Sequence, residues 1–302
     1  MEDQSLKPSE VAPATPLSFI HIPKTGGSTL RWILDRQYDS FLYLIPQWFH
    51  GDQMTPSAAL AQCRTVPQAI GAHRPLDRSW PRGPTLAMVR DPVRRVVSHL
   101  AHLRAEGLAW MPTAPPEMHL PLIEWMESAP LALFDNNQVR YLSGADEFDG
   151  MPMTRAMNET DLELALQAIR TRVLVAPMEA FDEALLEWGH QLRWSTPYYR
   201  RANVRRGGRQ ALAQKEQQAL ESWNRLDGVL CEEVGVLFRA RLRDLERESG
   251  RSLADQLVSF RRDNDALSAK AGILWHTLKR GVRHPLRAGR MLARTARQRS
   301  GR

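Results

Sequence analysis

Short runs of apolar, partly β-branched residues recur along the chain, and each is followed by a stretch of helical length. The three runs are LSFIHI at 17–22, TLAMV at 85–89 and RVLVAP at 172–177. Such runs are typical of buried strands, and their alternation with helices favours a parallel sheet. The pattern predicts an α/β fold with a central parallel sheet flanked by helices and with a helical C-terminal extension.

Helical periodicity follows each apolar run and dominates the second half of the chain. The segments after the three runs are TLRWILDRQY at 29–38, DPVRRVVSHLAHLR at 91–104 and MEAFDEALLEWGHQL at 178–192. Thr160 and Glu163 have the spacing of a capping box, so they predict the start of a helix over 162–171. A further long helix is predicted over about 214–248, and Gly250 is expected to end it.

The segment HIPKTGGSTL at 21–30 joins the first predicted strand to a helix through a turn of small residues. Such a turn gathers backbone N–H groups at a helix N-terminus, where the helix dipole favours an anion such as phosphate. Glycines let the backbone approach the ligand, hydroxyls add donors and a lysine adds positive charge. The residues of these types are Lys24, Gly26, Gly27, Ser28 and Thr29. An ordinary strand–helix turn with capping Ser and Thr is the alternative.

The position of the lysine separates this segment from a Walker A loop. In that motif the lysine follows the glycines and reaches the terminal phosphates beside magnesium. Lys24 instead precedes the glycines, and no convincing magnesium-binding aspartate follows downstream. An ATPase or a kinase is therefore disfavoured.

A second basic segment, VRDPVRRVVSHL at 89–100, follows the second apolar run. Arg90 lies at the predicted end of a strand, where α/β folds bind ligands, and Ser98 lies two helical turns into the next helix. A guanidinium fork and a hydroxyl could together hold a second phosphate, although a surface ion pair between Arg90 and Asp91 is the alternative. Two such sites indicate a nucleotide that carries phosphates at both ends.

The two segments resemble the cofactor motifs of sulfotransferases that use 3′-phosphoadenosine 5′-phosphosulfate (PAPS). The resemblance is strongest to the carbohydrate branch that includes the heparan sulfate 2-O-sulfotransferases and their bacterial relatives. It covers roughly residues 17–245, more weakly through FDNNQVRYLSG at 134–144 and VLVAPMEAFDEALL at 173–186. In that family, the first loop binds the 5′-phosphosulfate and the second segment binds the 3′-phosphate, on a P-loop-like sheet.

The resemblance assigns the cofactor contacts residue by residue. Those on the 5′ side are Lys24, Thr25, Gly26, Gly27, Ser28 and Thr29, and those on the 3′-phosphate are Arg90, Ser98 and, in a loosely fitting late loop, Arg201. Residues 176–179 read Ala-Pro-Met-Glu where relatives tend to have Gly-x-Thr-Glu, so the third family segment departs from the pattern. No metal is expected, because a sulfuryl group carries less charge than a phosphoryl group.

Sulfuryl transfer to a hydroxyl needs a base for the acceptor proton and a cation for the leaving phosphate. Lys24 is assigned to the leaving group. His73, in AIGAHRPL, resembles the Gly-His segment that carries the family's catalytic histidine, although Ala72 intervenes. An ordinary histidine pKa of about 6.5 would suit a base at neutral pH. A loop histidine that only packs is the alternative reading, and His50 is the reserve candidate.

The other polar candidates are assigned supporting parts. His21 is expected to pack or to orient the loop, and His99 and His102 are expected to be structural. Amides suit sugar hydroxyls, and a guanidinium suits a carboxylate or an existing sulfate. The candidate acceptor contacts of these types are Asn137, Gln138 and Arg140. A solvated helix face is the alternative for these three residues.

Charge is distributed unevenly along the 302 residues, although the formal total is only +7. Residues 251–302 hold thirteen Lys and Arg against three Asp, a net charge of +10, whereas residues 1–250 hold 28 basic and 31 acidic residues, a net charge of −3. A basic amphipathic tail can lie on an anionic membrane surface or hold a polyanion. A partner helix and a solvated, partly disordered extension are the alternatives. No specific nucleic-acid partner is expected.

These features predict three parts: a flexible leader at 1–16, a sulfotransferase domain at 17–248 and a basic helical or partly disordered tail at 249–302. No apolar stretch approaches the roughly 18 residues of a membrane span, and no basic-then-apolar signal opens the chain. Cys63 and Cys231 give neither a metal-ligand spacing nor a disulfide framework. A cytoplasmic protein is expected, with the tail as a means of attachment to the inner face of the membrane.

The leading hypothesis is a PAPS-dependent sulfotransferase that acts on a hydroxyl of a sugar or glycoconjugate. An ATP-dependent phosphotransferase on the same core is one alternative, and a non-catalytic nucleotide- or glycan-binding protein is the other. The acceptor pocket is expected to come from the variable loops at 40–65 and 105–160. Proline and apolar residues mix over 105–130, a segment that is expected to lie near the site. The acceptor itself and the oligomeric state do not follow from the sequence.

Overall fold

The structure is a computed structural model that describes residues 15–44, 54–106, 122–124, 134–144, 155–194, 197–199 and 212–270. The strands in these ranges are β1 (Leu17–Ile20), β2 (Phe41–Leu44), β3 (Ala69–Ala72), β4 (Thr85–Val89) and β5 (Val173–Pro177). The helices are α1 (Gly27–Gln37), α2 (Pro56–Ala61), α3 (Pro92–Glu106), α4 (Asn137–Ser143), α5 (Glu159–Thr171), α6 (Phe181–Leu192), α7 (Gln214–Trp223), α8 (Arg225–Ser249) and α9 (Leu253–Lys270).

The strands form one parallel sheet of five in the order β2-β3-β1-β4-β5. Ile20 at the end of β1 aligns with Ala72 of β3 and with Ala87 of β4. The chain leaves β1 toward one edge of the sheet and leaves β4 toward the other edge. In open α/β sheets, connections that diverge in this way leave a ligand crevice at the carboxyl ends of the two strands.

Both faces of the sheet are buried, which explains why its strands read as continuous apolar runs. Alternate side chains point to opposite faces of a strand. Ile20 and Val175 belong to a core shared with α4, α5 and α8, whereas Phe19 and Met88 belong to a core shared with α1 and α6. The sheet is therefore the middle layer between two layers of helices.

The predicted fold class is confirmed, since a parallel sheet flanked by helices is present. The runs at 17–22, 85–89 and 172–177 correspond to β1, β4 and β5. The two remaining strands, β2 and β3, were not predicted. Each has only four residues, and β3 reads Ala-Ile-Gly-Ala, so neither gives a long β-branched signal.

The capping box predicted from Thr160 and Glu163 is wrong by two residues. The side chain of Asn158 accepts hydrogen bonds from Thr160 N at 2.9 Å and from Asp161 N at 3.2 Å. The carboxylate of Asp161 accepts in return from Asn158 N at 2.9 Å. The reciprocal bonds therefore start α5 with an Asn–Asp pair instead of the Thr–Glu pair.

The helix predicted over about 214–248 is divided at Asn224 into α7 and α8, and Gly250, with a φ of 65°, ends α8 as predicted. The helix after it, α9, contacts the body of the protein: Arg261 pairs with Asp182 of α6 at 2.7 Å. Among the described helices, none has the length and apolar character needed to cross a membrane.

A buried ion pair lies where α8 meets α3 and α4. The carboxylate of Asp227 accepts from Gln138 N at 3.0 Å and from Val139 N at 2.8 Å, and it lies 4.0 Å from Nε of Arg95. Both charged side chains are fully buried. Burial raises the pKa of Asp227 and lowers that of Arg95, while the attraction between the two groups opposes both shifts. The carboxylate thus stabilises the N-terminus of α4, where the helix dipole favours negative charge.

Replacing Asp227 should therefore destabilise the protein strongly. Asp227→Asn removes the charge that balances buried Arg95, so the free energy of unfolding should fall by about 3–5 kcal/mol in urea denaturation. Glu159→Gln is the matched control, because the ion pair of Glu159 with Arg225 is exposed and its loss should cost less than about 1 kcal/mol. Equal losses in the two variants would contradict the importance of the buried pair.

Candidate active site

Three loops meet at the carboxyl edge of the sheet, one after each of the strands β3, β1 and β4. The loop after β1 spans residues 21–26, His73 follows β3, and Arg90 follows β4. Because these strands are neighbours in a parallel sheet, their carboxyl ends lie side by side. The fold therefore brings together the predicted phosphate loop, the predicted base and the second basic segment.

The loop between β1 and α1 has the shape of an anion-binding turn. Lys24 and Gly26 both have left-handed backbone angles, with φ values of 68° and 85°. A left-handed angle is uncommon for a residue with a side chain, and such strain clusters at ligand sites. The hydroxyl of Thr25 is buried and donates to Ile22 O at 3.0 Å, so it shapes the loop from inside. Gly26 O accepts from Thr29 N at 3.0 Å, so the helical hydrogen bonds of α1 begin there, and the N–H groups of Gly27 and Ser28 come before them.

The two glycines of the loop meet different constraints. Gly26 supplies the left-handed angle, and an added Cβ there would lie 3.3 Å from Cγ of Met178. An added Cβ at Gly27 would lie only 2.1 Å from Cδ2 of His21. The imidazole of His21 fills the space that a side chain at position 27 would need. Gly27 is therefore required by this packing as well as by any approach of a phosphate.

Aromatic and basic side chains form a cluster next to the loop. The rings of His21 and His73 stack with their centroids 3.7 Å apart, and Nδ1 of His21 lies 2.6 Å from the hydroxyl oxygen of Tyr43. The guanidinium of Arg31 covers the Tyr43 ring at 3.8 Å. Burial, and then the neighbouring His73, hold the pKa of His21 well below its usual value. His21 is thus a neutral packing group between the loop and His73.

The hydrogen bond of His73 fixes its tautomer. Nδ1 of His73 lies 2.7 Å from the main-chain oxygen of His21. A carbonyl oxygen can only accept, so Nδ1 carries the proton and Nε2 keeps its lone pair. Burial lowers the pKa of His73 to about 4, the bond to His21 acts in the opposite direction, and the charges of Arg31 and Lys24 lower it further. The expected ordinary pKa is therefore wrong, and His73 is neutral at physiological pH.

Arg90 is held through its main chain and through its side chain. The carboxamide of Gln138 accepts from Arg90 N at 2.7 Å and donates to Arg90 O at 2.9 Å. Nη1 of Arg90 donates to Lys24 O at 3.2 Å, across 66 residues of sequence. The two basic segments recognised in the sequence are therefore in direct contact.

The segment that departs from the family pattern also contributes to this edge. Glu179, in the 3₁₀ turn Met178–Ala180, accepts a hydrogen bond from Asp91 N at 3.3 Å. Asp91 in turn accepts from Arg94 N at 2.7 Å at the start of α3. The turn after β5 is thus tied to the loop after β4.

Helix α3 carries Ser98 and two histidines, and His99 among them lies close enough to Lys24 and His73 for their charges to lower its pKa. Ser98 and His102 are half-buried, and His99 is buried. Burial, with the charge of Arg95 as a smaller cause, holds the pKa of His99 well below its usual value. Within the described part of the chain, Nδ1 of His99 has no hydrogen-bond partner. These surroundings agree with the structural part expected for His99.

The solvated helix face that was the alternative for Asn137, Gln138 and Arg140 is wrong, since all three side chains are buried. Oδ1 of Asn137 accepts from Nη1 of Arg95 at 3.5 Å, and Nη2 of Arg140 donates to Arg155 O at 2.7 Å. Together with the bonds of Gln138 to Arg90, these contacts engage the polar groups of α4 inside the protein. Their predicted contact with an acceptor stays a prediction.

Several predicted residues lie outside the described residues, namely His50, Arg201 and the tail beyond residue 270. The loops at 40–65 and 105–160 are described only in part. Among the described residues, no group of three or more His, Cys, Asp or Glu side chains could hold a metal ion.

Sequence reasoning missed Tyr43 and Arg31. Arg31 lies four residues after Gly27, so the two positions share one face of α1. Tyr43 of β2 aligns with Gly71 of β3, two residues before His73. A reading of FLYL and AIGA as neighbouring strands would have placed Tyr43 beside the predicted base.

No family model matches the chain, and no curated protein matches it either. Six solved chains do match. One of them is a sulfotransferase from Alicyclobacillus acidocaldarius that is 17% identical, covers 80% of this chain and 98% of its own, and has a TM-score of 0.36. The α/β fold class is assigned from the parallel sheet and its flanking helices described above.

A side chain at position 27 should disturb the loop through His21. Gly27→Ala should lower the free energy of unfolding by about 1–3 kcal/mol, because the added Cβ overlaps the imidazole. In a His21→Ala background the same change should cost much less, because the ring is gone. Gly228→Ala on α8 is the control, since a Cβ there meets nothing within 4 Å. An equal cost of Gly27→Ala in both backgrounds would refute the overlap.

The lowered pKa of His73 makes stability depend on pH. Above the unfolded pKa of about 6.5 the imidazole is neutral in both states, so it adds no pH dependence. As the pH falls from there to about 4, the unfolded chain takes up a proton that folded His73 resists, and up to about 3 kcal/mol of stability is lost. Urea denaturation between pH 7.5 and 4 should show a flatter dependence for His73→Gln than for the wild type. His190→Gln, at an exposed site, is the control, and an identical slope in wild type and His73→Gln would contradict the lowered pKa.

Proposed function

We propose that the chain is a sulfotransferase that moves the sulfuryl group of PAPS to a hydroxyl of an acceptor. The observation that supports this most directly is the hydrogen bond from Arg90 to Lys24 O, at 3.2 Å. It joins the two segments that resemble the 3′-phosphate and 5′-phosphosulfate motifs into one site. His73 follows the neighbouring strand β3, close enough for the charge of Lys24 to lower its pKa.

The residues present suit a nucleotide with anionic groups at both ends. The turn with left-handed Lys24 and Gly26 leads into the N-terminus of α1, where N–H groups and the helix dipole favour the 5′ anion. Exposed Ser28 and half-buried Thr29 offer hydroxyl donors in the first turn. Arg90, with Ser98 on α3, is assigned to the 3′-phosphate, since a guanidinium fork matches phosphate geometry.

The chemistry divides between a base and a cation. PAPS supplies the sulfuryl group, which forms a bond to the acceptor oxygen as its bond to the bridging phosphate oxygen breaks. Nε2 of His73 accepts the proton of the acceptor hydroxyl, because its Nδ1 is already committed to His21 O. The ammonium of Lys24 stabilises the negative charge that develops on the leaving phosphate.

The charge of the nucleotide also improves the base. Without a bound ligand, His73 has a pKa of about 4. The lone pair of its Nε2 is then available, but it is only weakly basic. A nearby anion favours the imidazolium and so raises the pKa toward the value that suits proton transfer at neutral pH. The base is therefore strongest when the donor occupies the loop. Binding of the donor in the loop is thus coupled to the basicity of His73.

The acceptor class follows from the resemblance to the carbohydrate branch, and we propose a sugar or glycoconjugate hydroxyl. Transfer of labelled sulfate from PAPS to a panel of glycans, lipids and small alcohols tests this directly. Transfer to lipids alone would contradict the proposed acceptor class and would still support the proposed reaction. Absence of transfer together with tight binding of ATP would favour the phosphotransferase alternative, and PAP binding without any turnover would favour a binding protein.

Variants at the three residues should separate binding from chemistry. Lys24→Met and Arg90→Gln should each weaken PAP binding about 10–100-fold in calorimetry, since each removes charged hydrogen bonds to an anion. Lys215→Met and Arg239→Gln are the matched controls at exposed positions outside both motifs and should bind PAP like the wild type. His73→Gln should keep PAP affinity and lose about 10²–10⁴-fold in turnover. Unchanged PAP binding in both Lys24→Met and Arg90→Gln would overturn the proposed function.

A further inference from the structure

We infer that Gln138 is a positioning residue that fixes Arg90 for recognition of the 3′-phosphate of the nucleotide. The inference rests on the proposed function. Its basis is a pair of hydrogen bonds between one buried carboxamide and both main-chain polar groups of Arg90.

The geometry of this pair resembles that of a strand neighbour. Oε1 of Gln138 accepts from Arg90 N at 2.7 Å, and Nε2 donates to Arg90 O at 2.9 Å. Arg90 follows the last residue of β4, so its main chain lies just beyond the sheet ladder. The side chain of Gln138 forms hydrogen bonds with the N–H and C=O groups of Arg90, which lie beyond the hydrogen bonds between the strands. Both main-chain polar groups of Arg90 are thereby held by a single side chain of α4.

Gln138 is itself anchored firmly enough to do this. Its side chain is fully buried, and its own N–H donates to the carboxylate of Asp227 at 3.0 Å. Nε2 of Gln138 also lies 3.5 Å from Sγ of Cys231, which donates to Arg90 O at 3.4 Å. Arg90 is thus held from α4 and α8 together.

The other end of α4 is tied to the segment that follows the base. Tyr141 O accepts from Leu76 N at 2.8 Å, three residues after His73. An added Cβ at Gly144 would lie 2.5 Å from Leu76 O, so the chain passes this segment closely. One short helix therefore braces the loops after β3 and after β4.

This anchoring and the hydrogen bond from Nη1 to Lys24 O together set the direction of the Arg90 side chain. A guanidinium binds phosphate through a planar fork, so its affinity depends on orientation as well as on charge. Loss of the carboxamide would leave the charge of Arg90 in place and loosen the main chain that aims it. The expected consequence is a selective loss at the 3′-phosphate, because the 5′ side is held by the loop and by α1.

The test compares PAP with 5′-AMP, which lacks the 3′-phosphate. The wild type should bind PAP more tightly than AMP. The Kd for AMP divided by the Kd for PAP therefore measures the contribution of the 3′-phosphate to affinity. Gln138→Met keeps the length of the side chain and removes both bonds, so this ratio should fall about tenfold while the affinity for AMP changes little. In an Arg90→Gln background, Gln138→Met should lower the ratio no further, since Gln138 acts through Arg90.

Val139→Ala controls for a general loss of stability. Val139 is the next residue on α4, is fully buried and lies in the core cluster, so its truncation should lower the melting temperature and leave the ratio intact. An unchanged ratio in Gln138→Met, or an equal fall in Val139→Ala, would overturn the positioning role alone. Equal affinity of the wild type for PAP and AMP would overturn the proposed function as well, so the two failures are distinguishable.

Discussion

The parallel arrangement of β3, β1 and β4 is the constraint on which the candidate site depends. In a parallel sheet all carboxyl ends lie at one edge, so the residues that directly follow these three neighbouring strands lie close together. His73, the loop with Lys24, and Arg90 therefore meet, although α1, β2 and α2 lie between the loop and β3 in the sequence. The divergence of the chain after β1 and β4 leaves the space between them for a ligand.

Main-chain carbonyl groups organise the polar side chains at this edge. His21 O accepts from His73, and Lys24 O accepts from Arg90. A carbonyl neutralises no charge, so the lone pair of one side chain and the positive charge of the other are retained for a ligand. Carboxylate partners would have raised the pKa of the imidazole and weakened the attraction of the guanidinium for an anion.

The fold class could be predicted from the sequence, and so could the positions of the candidate loop after β1 and of the basic segment after β4, because each has a local pattern of its own. It did not predict the contact between His21 and Gly27, which exists only because the chain folds back over its own turn. Gln138 and Arg140 were interpreted as acceptor contacts, with a solvated helix face as the alternative, and their burial could not be foreseen because their partners on α8 and at Arg155 are distant in sequence. Local patterns thus pointed to the candidate binding groups, whereas the groups that hold them in place required the tertiary structure.

The position of Asp227 in the chain has a consequence for biosynthesis. The carboxylate that starts α4 belongs to α8, 89 residues after Gln138. Domains assemble from the N-terminal end as the chain is made, and strands β1 to β5 are complete by residue 177. A nascent chain of that length contains all five strands and the loop after β1, and it lacks the acid that anchors α4 and, through Gln138, Arg90. The candidate site is therefore finished late, only after residue 227 has been synthesised, 50 residues beyond the end of β5.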